Sequence, residues 1–316
     1  MGAPVRPRWG SLQFWPRKRA EKIIPSVNWS TIKTEGLAGF IFYKVGMVSI
    51  LVKDETANSM TKGKKIVIPG TVLEAPNMKI LSVRFYNKGI VSKEVIVSVD
   101  KDIKRKLKLP KQAKSLDSEI PKEYDDIRLL VYSLPSQTGV KKTPDLIEIA
   151  IGADSREKKL EIAKSFIGKE ITLNDFLAKK DILDARALTK GKGLVGPVKR
   201  FGLTLKQHKS EKGRRRPGSL GPWHPARVTF RAPMAGQMGL FSRITYNLRL
   251  ITSGNIKEKD INPGTGFKHY GKIRSSYLIL QGSVQGPVKR QVLLTPSFRV
   301  TKKQTKKKYE FQEVLQ

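Results

Sequence analysis

The sequence predicts a mainly β protein: a β-barrel interrupted by a small α/β region, with a long extended basic loop and basic extensions at both ends. Three observations carry this prediction. Short runs rich in Val, Ile, Phe and Tyr, bounded by Gly, Pro and Asn, fall into two groups, one before residue 100 and one after residue 240. A stretch with helical periodicity separates them. The 316 residues also carry 62 Lys plus Arg against 27 Asp plus Glu, a formal net charge of +35, and the excess is unevenly spread.

Residues 1–35 read as a basic arm, with Arg6, Arg8, Arg17, Lys18 and Arg19 beside Trp9, Phe14 and Trp15. Interleaved aromatics offer stacking faces as well as charge. Residues 36–103 read as the first part of the barrel, with strands in "GFIFYKVGMVSILV", "KKIVIPGTVLEA", "KILSVRFYN" and "KEVIVSVD". In "FYKVGM" the glycine reads as a strand bulge rather than a ligand contact. Residues 104–180 read as the α/β insertion. "DIRLLVYSLP" and "DLIEIAIG" are buried strands, and Asp154 with Glu157 is a capping-box pattern opening a helix that Gly168 stops. Leu160, Ala163 and Ile167 share one face of that helix.

Residues 181–300 return to strands in "RITYNLRLITSG", "SSYLILQGSVQG" and "RQVLLTPSFRV". One interrupted barrel accounts for both groups more economically than two β domains. Within this part, residues 199–240 form an extended basic segment, and residues 301–316 form a basic tail. A charge block at a chain end is commonly solvated disorder, which leaves the tail open between that and a nucleic-acid contact.

Charge narrows the partner. Residues 100–185 hold 18 basic and 16 acidic side chains, so almost all of the excess lies outside them. Such an imbalance opposes compact folding unless a polyanion neutralises it, and nucleic acid is the first candidate. The N-terminus has no uninterrupted apolar region of a secretory signal, and "LAGFIFYKVGMVSILV" is too short and too polar to span a bilayer. With zero cysteines, disulfides, thiolate metal sites and cysteine nucleophiles are excluded. An intracellular protein without a membrane partner is the expectation.

The motifs of catalysis are weak. "GKGLVG" at 191–196 matches a dinucleotide fingerprint, but "PVKRFG" is not expected to continue as the required amphipathic helix. Glu211, about twenty residues on, lies among lysines. Glycines beside phosphates explain the same letters, because they let backbone N–H groups approach an anion. His208, His224 and His269 lack metal-site spacing, and Asn28-Trp29-Ser30 is a chance sequon. No cofactor, metal or catalytic residue is expected. Between residues 212 and 239 there is no acid and no apolar period, so an outside partner must order the segment. Arg214, Arg215 and Arg216 suit phosphates, and Trp223 reads either as a stacking residue or as a side chain folded back onto the barrel. Structured RNA, with its splayed bases, fits such a loop better than a DNA groove does.

"LTKGKGLVGPVKRFG", "GSLGPWHPARV", "APMAGQMG" and "GSVQGPVKR", with "FYKVGM" and "FWPRKRA" before them, occur in one order along the chain. In these motifs the sequence resembles the universal ribosomal protein L3 family of the large ribosomal subunit (uL3), in its archaeal form, from about residue 8 to residue 300. The resemblance implies a translation-factor-like barrel, an α/β insertion, and extensions into 23S ribosomal RNA, one of them a tryptophan finger near the peptidyl transferase centre. It also implies neighbouring ribosomal proteins, an indirect influence on aminoacyl-tRNA, and a role in subunit assembly without catalysis.

Carried over, Trp223 is the finger-tip tryptophan with His224 and Arg227 beside it. Lys206, His208, Lys209 and the arginines at 214–216 lie on the ascending limb, and Arg231 and Gln237 on the descending one. Arg17, Lys18 and Arg19 in the arm, Lys190, Lys192, Lys199 and Arg200 before the finger, and Arg243, Lys289 and Arg290 after it complete the expected RNA-binding set. After "GQMG" the chain continues Leu240-Phe241-Ser242-Arg243, where related sequences place an aromatic and a histidine. Two rival readings remain: an RNA or DNA architectural protein outside the ribosome, and a nucleotide-dependent RNA-modifying enzyme built on "GKGLVG".

Overall fold

A computed structural model describes residues 10–32, 34–178, 180–209 and 212–315. Arg6, Arg8 and Trp9 of the arm, and Glu211, lie outside the described residues. Two compact units emerge, one of Met1–Ile23 with Leu188–Arg243 and one of Ile24–Ala187 with Ile244–Gln316. The protein is mainly β. In chain order the elements are β1 (Gly36–Leu37), β2 (Phe40–Asp54), β3 (Lys65–Ala75), β4 (Met78–Asn87), β5 (Ile90–Ile96), β6 (Asp126–Ser133), β7 (Leu146–Gly152), α1 (Arg156–Phe166), α2 (Leu173–Leu177) and β8 (Ile182–Leu188). Then come β9 (Gly193–Val195), α3 (Pro197–Phe201), β10 (Gly236–Met238), β11 (Ser242–Asn255), β12 (Ser276–Gln281), β13 (Gln291–Pro296), α4 (Lys302–Lys306) and β14 (Tyr309–Leu315). Every strand-like run of the sequence becomes a strand.

β2 organises the larger unit. Phe40 to Val45 are all buried, so both faces of this half are covered, and the continuous apolar run "FIFYKV" is what such a strand needs. Here β2 lies between β3 and β13; beyond the bulge at Val45 it alternates in burial, and β14 replaces β13. A bulge is expected at "KVGM", but the unpaired residue is Val45, and the glycine expected there, Gly46, pairs with Val72. The Lys44 Nζ donates to the carbonyls of Val284 and Gly286. The seven-stranded sheet has the order β13-β8-β11-β12-β3-β2-β14, with β13 also bonded to β2.

A second sheet has the order β1-β7-β6-β4-β5. β4 and β5 fall in the 36–103 segment, yet β4 lies between β5 and β6, a strand after residue 104, so that segment supplies both sheets. Asn77 and Gln137 mark the crossing: the Asn77 N–H donates to the Gln137 side chain at 2.9 Å. Consecutive strands of like composition give no signal of a change of sheet. One core joins them, with Phe40, Phe42 and Leu293 from the first sheet and Met78, Phe85, Ile127 and Ile149 from the second. Phe176 of α2 packs 5.8 Å from Phe40, ring to ring.

Two further local expectations need correction, and the fate of the tail, left open by the sequence, is decided. The α1 cap is Ser155, not Asp154; its Oγ accepts from the Lys158 N–H at 3.2 Å, because serine one residue later satisfies the same orphan donors. Gly168 does follow the helix with φ +77°. "PVKRF" forms one helical turn, α3, with proline at its start and Gly202 in the left-handed region after it. The tail is not solvated disorder. Thr301 caps α4, and β14 pairs along β2 from Tyr309 opposite Asp54 to Leu315 opposite Ser49. Tyr309, Phe311 and Val314 pack against the cluster around Ile50 and Val72, an apolar pattern that the lysine run before it obscures.

Candidate nucleic-acid interface

β9 and β10 form an antiparallel ribbon, with Val195 opposite Gly236 and Gly193 opposite Met238. It clips together the two ends of a segment, Gly202 to Ala235, that holds no helix or strand among the described residues. Gly239, just beyond β10, has φ +77°, and a Cβ there would stand 1.9 Å from the Lys190 carbonyl oxygen. Only glycine permits that close approach. "GKGLVG" is therefore a ribbon strand leading into a single helical turn, not the parallel βαβ unit that a dinucleotide site requires.

Arg200 braces the ribbon. Its Nε donates to the Gln237 carbonyl at 3.1 Å and its Nη1 to the Met234 carbonyl at 3.0 Å. The Gln237 side chain is turned onto its own strand, donating to the Gly239 carbonyl at 3.0 Å. Lys192 contributes its backbone N–H to the Met238 carbonyl, which leaves its side chain exposed.

The arm docks in the same unit. The Ala20 N–H donates to the Leu240 carbonyl at 3.0 Å. Arg17 lies 4.6 Å over the Phe201 ring and 5.2 Å over Trp15, and Trp15 meets Phe230 edge-on at 5.2 Å. Arg243 lies 4.3 Å over Phe14 and 5.2 Å over Phe241. Sequence reasoning named the cations and Phe14 in the arm, but missed Phe201 and Phe241; the spacing of aromatics against arginines was the available signal. Burial pushes the Arg200 and Arg243 guanidinium pKa values down, the direction expected where charge loses water.

Farther out, the segment is held by few internal bonds. The Lys206 N–H donates to the Arg214 carbonyl and Arg214 Nε returns a bond to the Lys206 carbonyl at 3.0 Å. Every residue from Gly221 to Phe230 is exposed. Trp223 is 86% exposed, so its ring is open to solvent rather than buried. Lys18, Arg19, Lys190, Lys199, His208, Lys209, Arg215, Arg216, His224, Arg227 and Arg231 are likewise exposed, and Lys206 is half-buried.

Lys289 and Arg290 belong to the other unit, on the loop that Lys44 anchors. The Lys289 N–H donates to the Lys44 carbonyl, the Lys44 N–H to the Arg290 carbonyl, and burial lowers the Arg290 pKa. The middle of the chain contrasts with this, since Arg84 and Arg128 both reach Glu148 there. Among the described residues no group of His, Asp and Glu is arranged to hold a metal ion, and no helix is long and apolar enough to cross a membrane. The arrangement can neutralise phosphates and present aromatic faces.

The chain matches the family model of ribosomal protein L3 over residues 2–314. It is 41% identical over 310 residues to the large ribosomal subunit protein uL3 of Archaeoglobus fulgidus, covering 94% of this chain and 93% of that one. Similarity to the proteins of the same name from Methanococcus vannielii and Methanocaldococcus jannaschii is 38% and 37% identity over 308 residues, with 93% of this chain and 92% of each relative covered. A basic ribbon-borne segment, an arm of alternating arginines and aromatics, and this full-length match lead to one conclusion: the chain belongs to the ribosomal protein L3 family.

Proposed function

We propose that this protein is a structural, non-catalytic component of the large ribosomal subunit in the cytoplasm, bound to 23S ribosomal RNA and to neighbouring ribosomal proteins. The observation that carries the reading is the stretch from Gly202 to Ala235, strongly basic, without regular structure and with Trp223 fully presented. A polyanion is the partner that such a segment lacks, and counterion release from it drives assembly.

In this reading β2, β3, β12, β11, β8 and β13 close into a barrel, which the bonds of β13 to both β8 and β2 support. The barrel draws on residues 36–103 and 181–300, and residues 104–180 form the insertion, whose sheet recruits β4 and β5. The arm 1–35 and the finger 199–240 are its extensions, and the basic tail 301–316 adds β14 to its sheet. Arg17, Lys18, Arg19, Lys190, Lys192, Lys199, Arg200, Lys206, His208, Lys209, Arg214, Arg215, Arg216, Trp223, His224, Arg227, Arg231, Gln237, Arg243, Lys289 and Arg290 meet the RNA. Arg200 and Gln237 also brace the ribbon. Trp223 at the finger tip shapes the peptidyl transferase region and acts on aminoacyl-tRNA only through the RNA.

The test is sedimentation of a tagged copy from cell lysate through a high-salt sucrose gradient, with the RNA of each fraction identified. Stoichiometric migration with large subunits is the expected result. Release to the top, or spread over many RNAs, points instead to a general nucleic-acid binder.

A further inference from the structure

A cleft of about 450 Å³ opens in the smaller unit between the arm, α3 and the ribbon. Its size falls within the range of about 300–1,000 Å³ typical of small-molecule sites. Phe14, Phe241, Arg17, Lys199, Arg200 and Arg243 supply its chemistry, and among the described residues no acidic side chain lines it. Phe14 is half-exposed at 49%, so part of its ring is open to a visitor.

Two features separate this cleft from a simple phosphate patch. Arg243 already stacks on Phe14 and Phe241, forming a π-cation layer that a planar group would extend. Arg200 is fixed by two carbonyl oxygens, so its charge is positioned but not neutralised by them. Desolvated cations beside aromatic faces suit a ligand with a flat ring at one end and a phosphate at the other. Inorganic phosphate would use only the cations, and a base inside a duplex could not reach the rings.

We propose that this cleft seats a single extrahelical nucleotide of the bound RNA, its base against Phe14 and Phe241 and its phosphates against Arg17, Lys199 and Arg200. The assignment rests on the reading of this chain as an RNA-bound protein. It adds a reader of one splayed base to a surface otherwise described by charge. Arm and ribbon supply the two sides of the site, so the site is complete where the arm is docked, as it is before any nucleotide arrives.

The experiment measures affinity of the full-length protein, at fixed salt, for three RNA hairpins. One is fully paired, one carries a single-nucleotide bulge, and one carries the same bulge with the base removed. Base–aromatic stacking predicts about tenfold tighter binding to the bulged hairpin than to the paired one. The abasic bulge loses that gain, which separates base capture from a preference for bent RNA. Phe14→Ala should shrink the ratio to about twofold. Equal affinity for all three hairpins overturns the nucleotide site while leaving the RNA reading intact, as does a ratio unchanged by Phe14→Ala. Failure to bind any hairpin overturns both.

Discussion

β2 and the segment from Gly202 to Ala235 find their backbone partners in opposite places. β2 bonds to β3 on one side and to β13 and then β14 on the other, and Phe40 to Val45 are buried. The segment has a handful of internal bonds, such as Lys206 to Arg214, and ten consecutive exposed residues around Trp223. Ordering a residue's backbone costs about 1–2 kcal/mol. β2 offsets this by burial within its own chain, whereas the segment must offset it by contacts with another molecule. The difference teaches that one chain can divide its order between what it encodes and what its partner supplies.

The comparison breaks most directly at a core ring. Phe42 is 0% exposed and packs on Phe40 at 5.1 Å. Phe42→Ala should cost about 3–5 kcal/mol in denaturant unfolding, while Trp223→Ala should move stability by no more than about 0.5 kcal/mol. Equal losses at the two positions would mean that the segment shares the core's stability.

A smaller effect tests the buried side of the comparison by pH. Lys180 donates to the carbonyls of Leu37 and Phe176, and burial lowers its pKa to about 8 from 10.5. Between those values the unfolded chain binds more protons than the folded one, so stability rises as pH increases from about 8 to 10.5. The expected gain is at most about 3 kcal/mol over that window, and Lys180→Met should remove it. Identical pH profiles for the two proteins would contradict a desolvated ammonium.

The extended side is tested by salt. Neutralising Arg214, Arg215 and Arg216 together should reduce the slope of log affinity for RNA against log salt by about 2–3, with little change in unfolding. An unchanged slope would remove these side chains from phosphate contact.

How legible the molecule is in its sequence follows the same division. Strands such as "FIFYKV" announce themselves because their burial is written in apolar side chains. The sheet change at β4 is silent, since Met78–Asn87 has the same composition as its neighbours. β14 hides behind lysines, and its apolar residues are legible only once β2 provides a partner. In the site, the cations stand out by charge, and Trp223 by its surroundings of glycine and proline. Phe201 does not, because Arg17 is brought to it from the arm, and Phe241 is marked only by Arg243 two residues on.

The most direct measurement is hydrogen exchange of the intact protein, free and bound to large-subunit RNA. The account predicts that amides from residue 202 to residue 235 exchange rapidly in the free protein and become protected on binding, while β2 and β13 are protected in both states. Protection of the segment without RNA would contradict the claim that its order comes from outside the chain.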